Sequence, residues 1–110
     1  MIQQITTLGG YRTGLYTSPH LEHLEERFVV DSQVCQQGQL LRLLEQVQPV
    51  VEALDSESPQ QQGPTFFDIT TAMAILFFHQ SKVDCAVLEV GLGGRLDSTN
   101  LVHPLACGIT

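Results

Sequence analysis

The segment AVLEVGLGGRLDSTN, residues 86–100, places a carboxylate at the end of an apolar run and then a cluster of glycines. Glu89 follows the apolar residues, and three glycines lie within residues 91–94. Glycine permits positive φ angles and close backbone approach, so the cluster is typical of a tight turn or of a loop that contacts a ligand. An unpaired carboxylate leaving a buried strand is unfavourable, so Glu89 needs a partner. Two partners remain open, a divalent cation and the guanidinium of Arg95.

A second predicted strand ends at a hydroxyl, that of Ser18, much as the apolar run ends at the Glu89 carboxylate. The segment TGLYT, residues 13–17, reads as a short strand that ends at Ser18, because the residue before a proline is driven to extended geometry. The segment DCAVLEV, residues 84–90, has the near-continuous apolar character of a parallel strand covered on both faces. Ligands of open α/β sheets bind beyond the carboxyl ends of the strands, where Ser18 and Glu89 both fall. A carboxylate with a hydroxyl suits Mg²⁺, which takes few protein ligands besides water and substrate phosphates.

Three helices are predicted around these strands. Apolar residues at helical spacing within residues 1–8 precede a glycine pair that ends the first helix. A leucine and valine stripe over residues 40–54 predicts an amphipathic helix that Pro49 should kink or split. Thr65, with Asp68 three residues later, resembles a capping box that opens a helix over residues 66–80.

The remaining segments show weaker patterns of apolar and polar residues. Residues 20–32 are predicted as an acidic loop with some helical character, and residues 55–64 as a surface linker rich in Ser, Pro and Gln. LACGIT, residues 105–110, is predicted as a further strand. The alternation of helices and strands predicts an α/β fold in which helices flank a parallel sheet.

Composition narrows the classes of function. The chain has 110 residues, enough for one domain or part of one, with 43% hydrophobic residues and a net charge of −7. The negative charge argues against nucleic acid as a partner. Three separated cysteines are expected to be reduced thiols, and no apolar stretch is long enough to span a bilayer, so we expect a cytoplasmic protein with no membrane partner. His20 and His23 in HLEH match no zinc motif, which favours a solvated loop there.

Three segments together resemble a known family. They are GLYTSPHL at residues 14–21, TFFD at 65–68 and LEVGLGGRLDSTN at 88–100, and their order and spacing are similar to those of folylpolyglutamate synthase/dihydrofolate synthase in the Mur ligase superfamily. Ser98 stands where the family usually has Ala. The glycine cluster also overlaps the E-x-G-x-G-x-G strand end of S-adenosylmethionine-dependent methyltransferases, with the third glycine one position early. A methyltransferase fragment is therefore the alternative, and a non-catalytic module that binds a basic partner through residues 20–31 is a third.

The resemblance implies an ATP-dependent ligase of the P-loop type, in which a folate carboxylate is phosphorylated and attacked by the amine of glutamate. It implies Mg²⁺ bound by Ser18 and Glu89, and a folate or pterin site containing Phe67, Asp97 and Ser98. The implied partners are folate or dihydropteroate, L-glutamate and ATP, and the full-length enzyme is expected to be a monomer. No residue is implied as catalytic beyond these ligands.

One motif of the family is not found in this sequence. The phosphate loop G-x-x-x-x-G-K-[ST] does not occur in residues 1–110, so no ATP-binding residue is predicted. We expect residues 1–110 to be part of the central ATP-binding domain, with the phosphate loop upstream and a C-terminal domain downstream. The chain by itself is expected to be inactive.

Overall fold

The computed structural model describes residues 1–57 and 63–109. Four strands form one sheet in the order β3–β2–β1–β4, with β1 at Thr13–Tyr16, β2 at Phe28–Val30, β3 at Gln33–Val34 and β4 at Cys85–Leu88. β1 runs parallel to β4 and antiparallel to β2, and β2 runs antiparallel to β3. The α/β fold is confirmed, but the sheet is mixed and not parallel throughout.

Three α-helices flank the sheet: α1 at Ile2–Leu8, α2 at Gln37–Glu57 and α3 at Phe66–Gln80. Two short 3₁₀ helices lie at Leu24–Arg27 and Ser98–Leu101. The predicted capping box at α3 is confirmed, since the Thr65 hydroxyl accepts from the backbone N–H of Asp68 and the Asp68 carboxylate accepts from that of Thr65. This cap fixes the first turn of α3.

The apolar core lies between one face of the sheet and helices α2 and α3. Tyr16 and Phe28 of the sheet are fully buried against α3 residues such as Ala74 and Phe78. A Cβ on Gly14 would lie 2.6 Å from Cδ1 of Phe78, so only glycine lets α3 approach β1 this closely. Side chains alternate along a strand, and Thr13 accordingly turns to the other face, where its hydroxyl bonds that of Thr6 on α1.

Four local predictions were wrong in whole or in part. The acidic loop has the expected helical character at Leu24–Arg27, but it also contains β2, which pairs with β1, and β3 follows immediately after it. Residues 105–109, predicted as strand, form no regular element. β4 is an edge strand whose residues are half-buried or exposed, so it is not covered on both faces. Pro49 does not split α2, which continues through it; both Pro49 and Glu45, whose carbonyl loses its helical donor, are exposed to water.

Other expectations concern the linker, the cysteines and the membrane. Residues 55–57 of the predicted linker belong to α2, while residues 58–62 lie outside the described residues, as does Thr110. Cys35 is buried, Cys85 half-buried and Cys107 exposed, and all three are free thiols. Over the described ranges, no helix combines the length and apolar character needed to cross a bilayer.

Candidate functional site

Ser18 and Glu89 lie together at the carboxyl ends of the parallel pair β1 and β4. The backbone N–H of Ser18 donates to Oε2 of Glu89 at 2.8 Å. The backbone N–H of Glu89 in turn donates to the carbonyl of Tyr16 at 2.9 Å, which continues the β1–β4 ladder beyond the last paired residues. The ladder therefore sets where the carboxylate sits, and the Ser18 amide sets which way one of its oxygens points.

The alternative partner of Glu89 was the guanidinium of Arg95. Within the residues that the structure describes, the single ion pair joins Nη1 of Arg12 to Oδ2 of Asp31 at 3.8 Å. Glu89 is therefore not paired with Arg95, and its hydrogen-bond partner is a neutral backbone amide.

Asp97 organises the glycine-rich loop that follows Glu89. Its Oδ2 accepts from the backbone N–H groups of Gly91 and Leu92 at 3.0 and 2.9 Å. Its Oδ1 accepts from the backbone N–H and the hydroxyl of Thr99 at 2.9 and 2.5 Å, which caps the second 3₁₀ helix. Partial burial acts to raise the pKa of Asp97, but the hydrogen bonds from Thr99, Leu92 and Gly91 together outweigh it and lower the pKa below its usual value. Asp97 is thus an ionised anchor that holds both ends of the loop.

Ser98 and Asp68 connect this loop to the start of α3. The Ser98 hydroxyl donates to Oδ1 of Asp68 at 2.5 Å, while Oδ2 of Asp68 is occupied by the cap with Thr65. The hydrogen bonds from Ser98 and then from Thr65 lower the pKa of Asp68. Neighbouring residues 97 and 98 therefore fix the loop to two different elements.

Phe67 packs between the strand end and the glycines. Its ring stacks on Tyr16, with centroids 5.9 Å apart and planes inclined by 30°. A Cβ on Gly91 would lie 2.6 Å from Cζ of the Phe67 ring. One glycine of the cluster is therefore required by close packing on an aromatic ring, and Gly93 by its φ of +76°.

A cleft of about 390 Å³ opens beside this loop. Asp68, Arg95, Asp97, Ser98 and Asn100 contribute its polar lining. Two of the three residues predicted to bind a pterin, Asp97 and Ser98, thus line one cleft, whereas Phe67 lies outside the lining.

The histidines of HLEH have separate roles in the first 3₁₀ region. His23 precedes the helix Leu24–Arg27 as its N-cap, and the Glu26 carboxylate accepts from the backbone N–H groups of Leu21, Glu22 and His23. These hydrogen bonds, with that from Leu21 contributing most, lower the pKa of Glu26. Across the described part of the chain, no three His, Cys, Asp or Glu side chains gather in a way that could hold a metal ion.

Arg27 is a buried cation that the sequence did not reveal as functional. It is 7% exposed, its Nε–H donates to Nδ1 of His20 at 2.9 Å, and its guanidinium lies 5.4 Å from the centroid of the Phe66 ring. In the sequence it follows Glu25 and Glu26 within the segment predicted as an acidic loop, and no local pattern marks it as buried. It ends the 3₁₀ helix Leu24–Arg27, and strand β2 begins at the next residue.

Comparison with known proteins finds relatives that share one enzyme name. A dihydrofolate synthase/folylpolyglutamate synthase from Bacillus subtilis is 42% identical over 110 residues, which make up 99% of this chain and 25% of the relative. The enzyme of the same name from Mycobacterium tuberculosis is 35% identical over 115 residues, or 100% of this chain and 24% of the relative. No protein-family model matches the chain.

Solved structures show the same likeness in fold. A folylpolyglutamate synthase from Thermotoga maritima superposes with a TM-score of 0.88 at 43% identity, covering 94% of this chain and 24% of that one. The Mycobacterium tuberculosis enzyme complexed with ADP and AMPPCP gives 0.88 at 36% identity, covering 91% and 23%. The chain spans 13% to 25% of the length of the curated relatives that it matches.

Proposed function

We propose that this chain, which corresponds in sequence and fold to a segment of the folylpolyglutamate synthase/dihydrofolate synthase family, forms part of an ATP-dependent ligase that joins glutamate to a folate carboxylate. The carboxylate is converted to an acyl phosphate, the amine of glutamate attacks its carbonyl, and phosphate leaves as the amide bond forms. The relatives' names favour this reaction over the methyltransferase and interaction-module alternatives.

The observation that carries the proposal is the contact between Ser18 and Glu89. Glu89 would hold Mg²⁺ through its carboxylate, and Ser18 through its hydroxyl. The donor set fits this ion, since Mg²⁺ binds through one or two protein oxygens and takes its other ligands from water and phosphates. When bound, the ion supplies neutralisation of the charge on the transferring phosphoryl group. The chain's own contribution is positional, because the Ser18 amide and the β1–β4 ladder hold the carboxylate in place.

The cleft beside the glycine-rich loop is the proposed folate or pterin site. Asp97 and Ser98 line it and Phe67 lies against the loop that forms its wall. All four acceptor positions of Asp97 are already used within the chain, two on each oxygen. A ligand that donates a hydrogen bond to Asp97 must therefore displace one of these donors, so Asp97 acts first by shaping the loop.

The reactants proposed for the enzyme are ATP, L-glutamate, and folate or dihydropteroate. We assign residues 1–110 to the central, ATP-binding domain of a Mur ligase, acting as a monomer in the cytoplasm. The free thiols and the net charge of −7 support this location and the lack of a nucleic-acid partner.

A chimeric enzyme tests the function. The segment of the Thermotoga maritima folylpolyglutamate synthase that matches this chain is replaced by residues 1–110, and ATP-dependent addition of glutamate to a folate is measured. We expect product from the chimera, and a loss of kcat of about 100-fold or more in its Glu89→Gln form. Glu45→Gln, an exposed acid on α2, serves as the matched control and should leave the rate unchanged. A chimera that folds and binds ATP but forms no glutamylated product contradicts the proposal.

A further inference from the structure

The surroundings of Arg27 leave its charge without a counterion. Its guanidinium contacts the imidazole of His20 and the ring of Phe66, and neither carries a negative charge. The described ranges contain a single ion pair, which does not involve Arg27. Arg27 as a whole residue is 7% exposed, so its side chain has lost much of its hydration, and an anion would replace that hydration favourably.

Two acids that could neutralise Arg27 are bound to other donors: Glu26, its neighbour in sequence, and Asp68, in the first turn of α3. Glu26 accepts from three backbone N–H groups of residues 21–23. Asp68, the acid in the first turn of α3, is held by Thr65 and Ser98. Within residues 1–57 and 63–109, no acidic side chain forms an ion pair with Arg27.

The outer nitrogens of Arg27 are not fully buried. Nη1 and Nη2 make no hydrogen bond to any residue in 1–57 or 63–109, and every fully buried side-chain nitrogen and oxygen there has a partner. Both nitrogens therefore keep some contact with solvent, so an edge of the guanidinium reaches the surface although most of the residue is covered. A fork of this geometry binds carboxylates and phosphates through paired hydrogen bonds.

Arg27 also lies at the end of the sheet that carries the candidate metal ligands. Its carbonyl accepts from the backbone N–H of Thr17 at 3.3 Å, which places it opposite the residue before Ser18. Its guanidinium covers Phe66, the first residue of the 15-residue helix α3. The amino end of a helix carries partial positive charge and favours anions as well.

We propose that Arg27 is an oxyanion-binding residue that receives a carboxylate or phosphate group of a ligand bound at the Ser18–Glu89 end of the sheet. The contacts with His20 and Phe66 hold the guanidinium in place, and its Nη1 and Nη2 groups bind the anion. The inference rests on the proposed ligase function for its ligand, because each of that enzyme's reactants carries carboxylates or phosphates.

NMR titration of the 110-residue chain tests this binding. The Arg27 Nε–H signal and the amide signals of Ser18 and His20 are followed in chloride at constant ionic strength, without divalent metal or nucleotide. Inorganic phosphate is added in one arm and glutarate, a simple dicarboxylate, in the other. Arg27→Met removes the charge and keeps an apolar stem, while Arg42→Met removes an exposed arginine from α2 as the control.

We expect a saturable shift with at least one probe, and binding about tenfold weaker or more in Arg27→Met but unchanged in Arg42→Met. Tighter binding of phosphate identifies a phosphoryl group as the ligand, and tighter binding of glutarate identifies a carboxylate. If Arg27→Met fails to fold, Arg27→Lys takes its place, because an ammonium lacks the fork and should bind both probes more weakly. The absence of any saturable shift, or equal binding by wild type and the Arg27 variant, overturns the proposal. Neither result depends on Glu89 or on catalysis, so a failure here is distinct from failure of the chimera.

Discussion

The backbone amide of Ser18 and the carboxylate of Glu89 are joined at 2.8 Å across 71 positions of the sequence. Because the donor is the amide and not the hydroxyl, the Ser18 side chain is not needed to hold Glu89 in place. The Ser18 hydroxyl can therefore be removed without disturbing the position of Glu89.

The first prediction uses this separation. In the chimera, Ser18→Ala keeps the amide bond to Glu89 and removes one proposed ligand of Mg²⁺, so we expect the Mg²⁺ concentration for half-maximal rate to rise about tenfold. Glu89→Gln removes the charge and should lower kcat about 100-fold or more at every Mg²⁺ concentration tested. Thermal melting should be nearly the same for wild type and Ser18→Ala. An unchanged Mg²⁺ requirement in Ser18→Ala would remove its hydroxyl from the metal site.

Elements with strong local signals were predictable. Thr65 and Asp68 fixed the start of α3, since a capping box followed by an apolar run has few other interpretations. β1 was predicted because the Ser18-Pro19 bond limits its end. The convergence of Ser18 and Glu89 followed from the rule that parallel strands end at one edge, and it required only that β1 and β4 be neighbours.

The second prediction concerns the glycines of the loop. Gly91→Ala should destabilise the chain by about 1–3 kcal/mol, because the new methyl group would lie 2.6 Å from the Phe67 ring and force it away from Tyr16. Gly94→Ala is the matched control, since no atom lies within 4 Å of a Cβ there. Urea denaturation of the two variants measures the difference. Equal stability of both variants would show that Phe67 does not pack on Gly91.

A double substitution sharpens this test. Phe67→Leu shortens the side chain that meets Gly91, so the added penalty of Gly91→Ala should shrink in the Phe67→Leu background. A penalty of equal size in both backgrounds would mean that the two residues are not coupled.

Features that depend on long-range pairing were not predictable from local patterns. β2 has only three residues and pairs with β1, and the acids before it mask its apolar alternation. The burial of Arg27, which directly precedes β2, was likewise not predicted for a residue of an acidic loop. Asp97 carried no sign of its four acceptor contacts, because three of them reach residues 91 and 92 and the side chain of Thr99 through the folded loop.

The third prediction tests Asp97 as the anchor of the loop. An amide side chain has one acceptor oxygen, so Asp97→Asn can keep at most one of the two pairs of hydrogen bonds. We expect hydrogen exchange to become about tenfold faster or more at the amides of the pair that is lost, either Gly91 and Leu92 or Thr99. Glu45→Gln is the control for loss of one negative charge. Unchanged exchange at all three of these amides would contradict the anchoring role.

The fourth prediction follows from the hydrogen bond between Ser98 and Asp68. Ser98→Ala removes the largest cause of the lowered pKa of Asp68, so that pKa should rise toward its usual 3.8, as followed by NMR titration of the carboxyl carbon. At neutral pH the variant should be less stable by about 0.5–1 kcal/mol.

A carboxylate with a lowered pKa stabilises the folded state above its unfolded pKa, and this stabilisation is lost as pH falls through the folded value. The stability difference between wild type and Ser98→Ala should therefore be constant near neutrality and shrink below about pH 4. Ser56→Ala is the control, because its hydroxyl bonds the carbonyl of Glu52 and no carboxylate, so its effect should not change with pH. A Ser98→Ala difference that persists unchanged into acid would show that the ionised form of Asp68 is not what Ser98 stabilises.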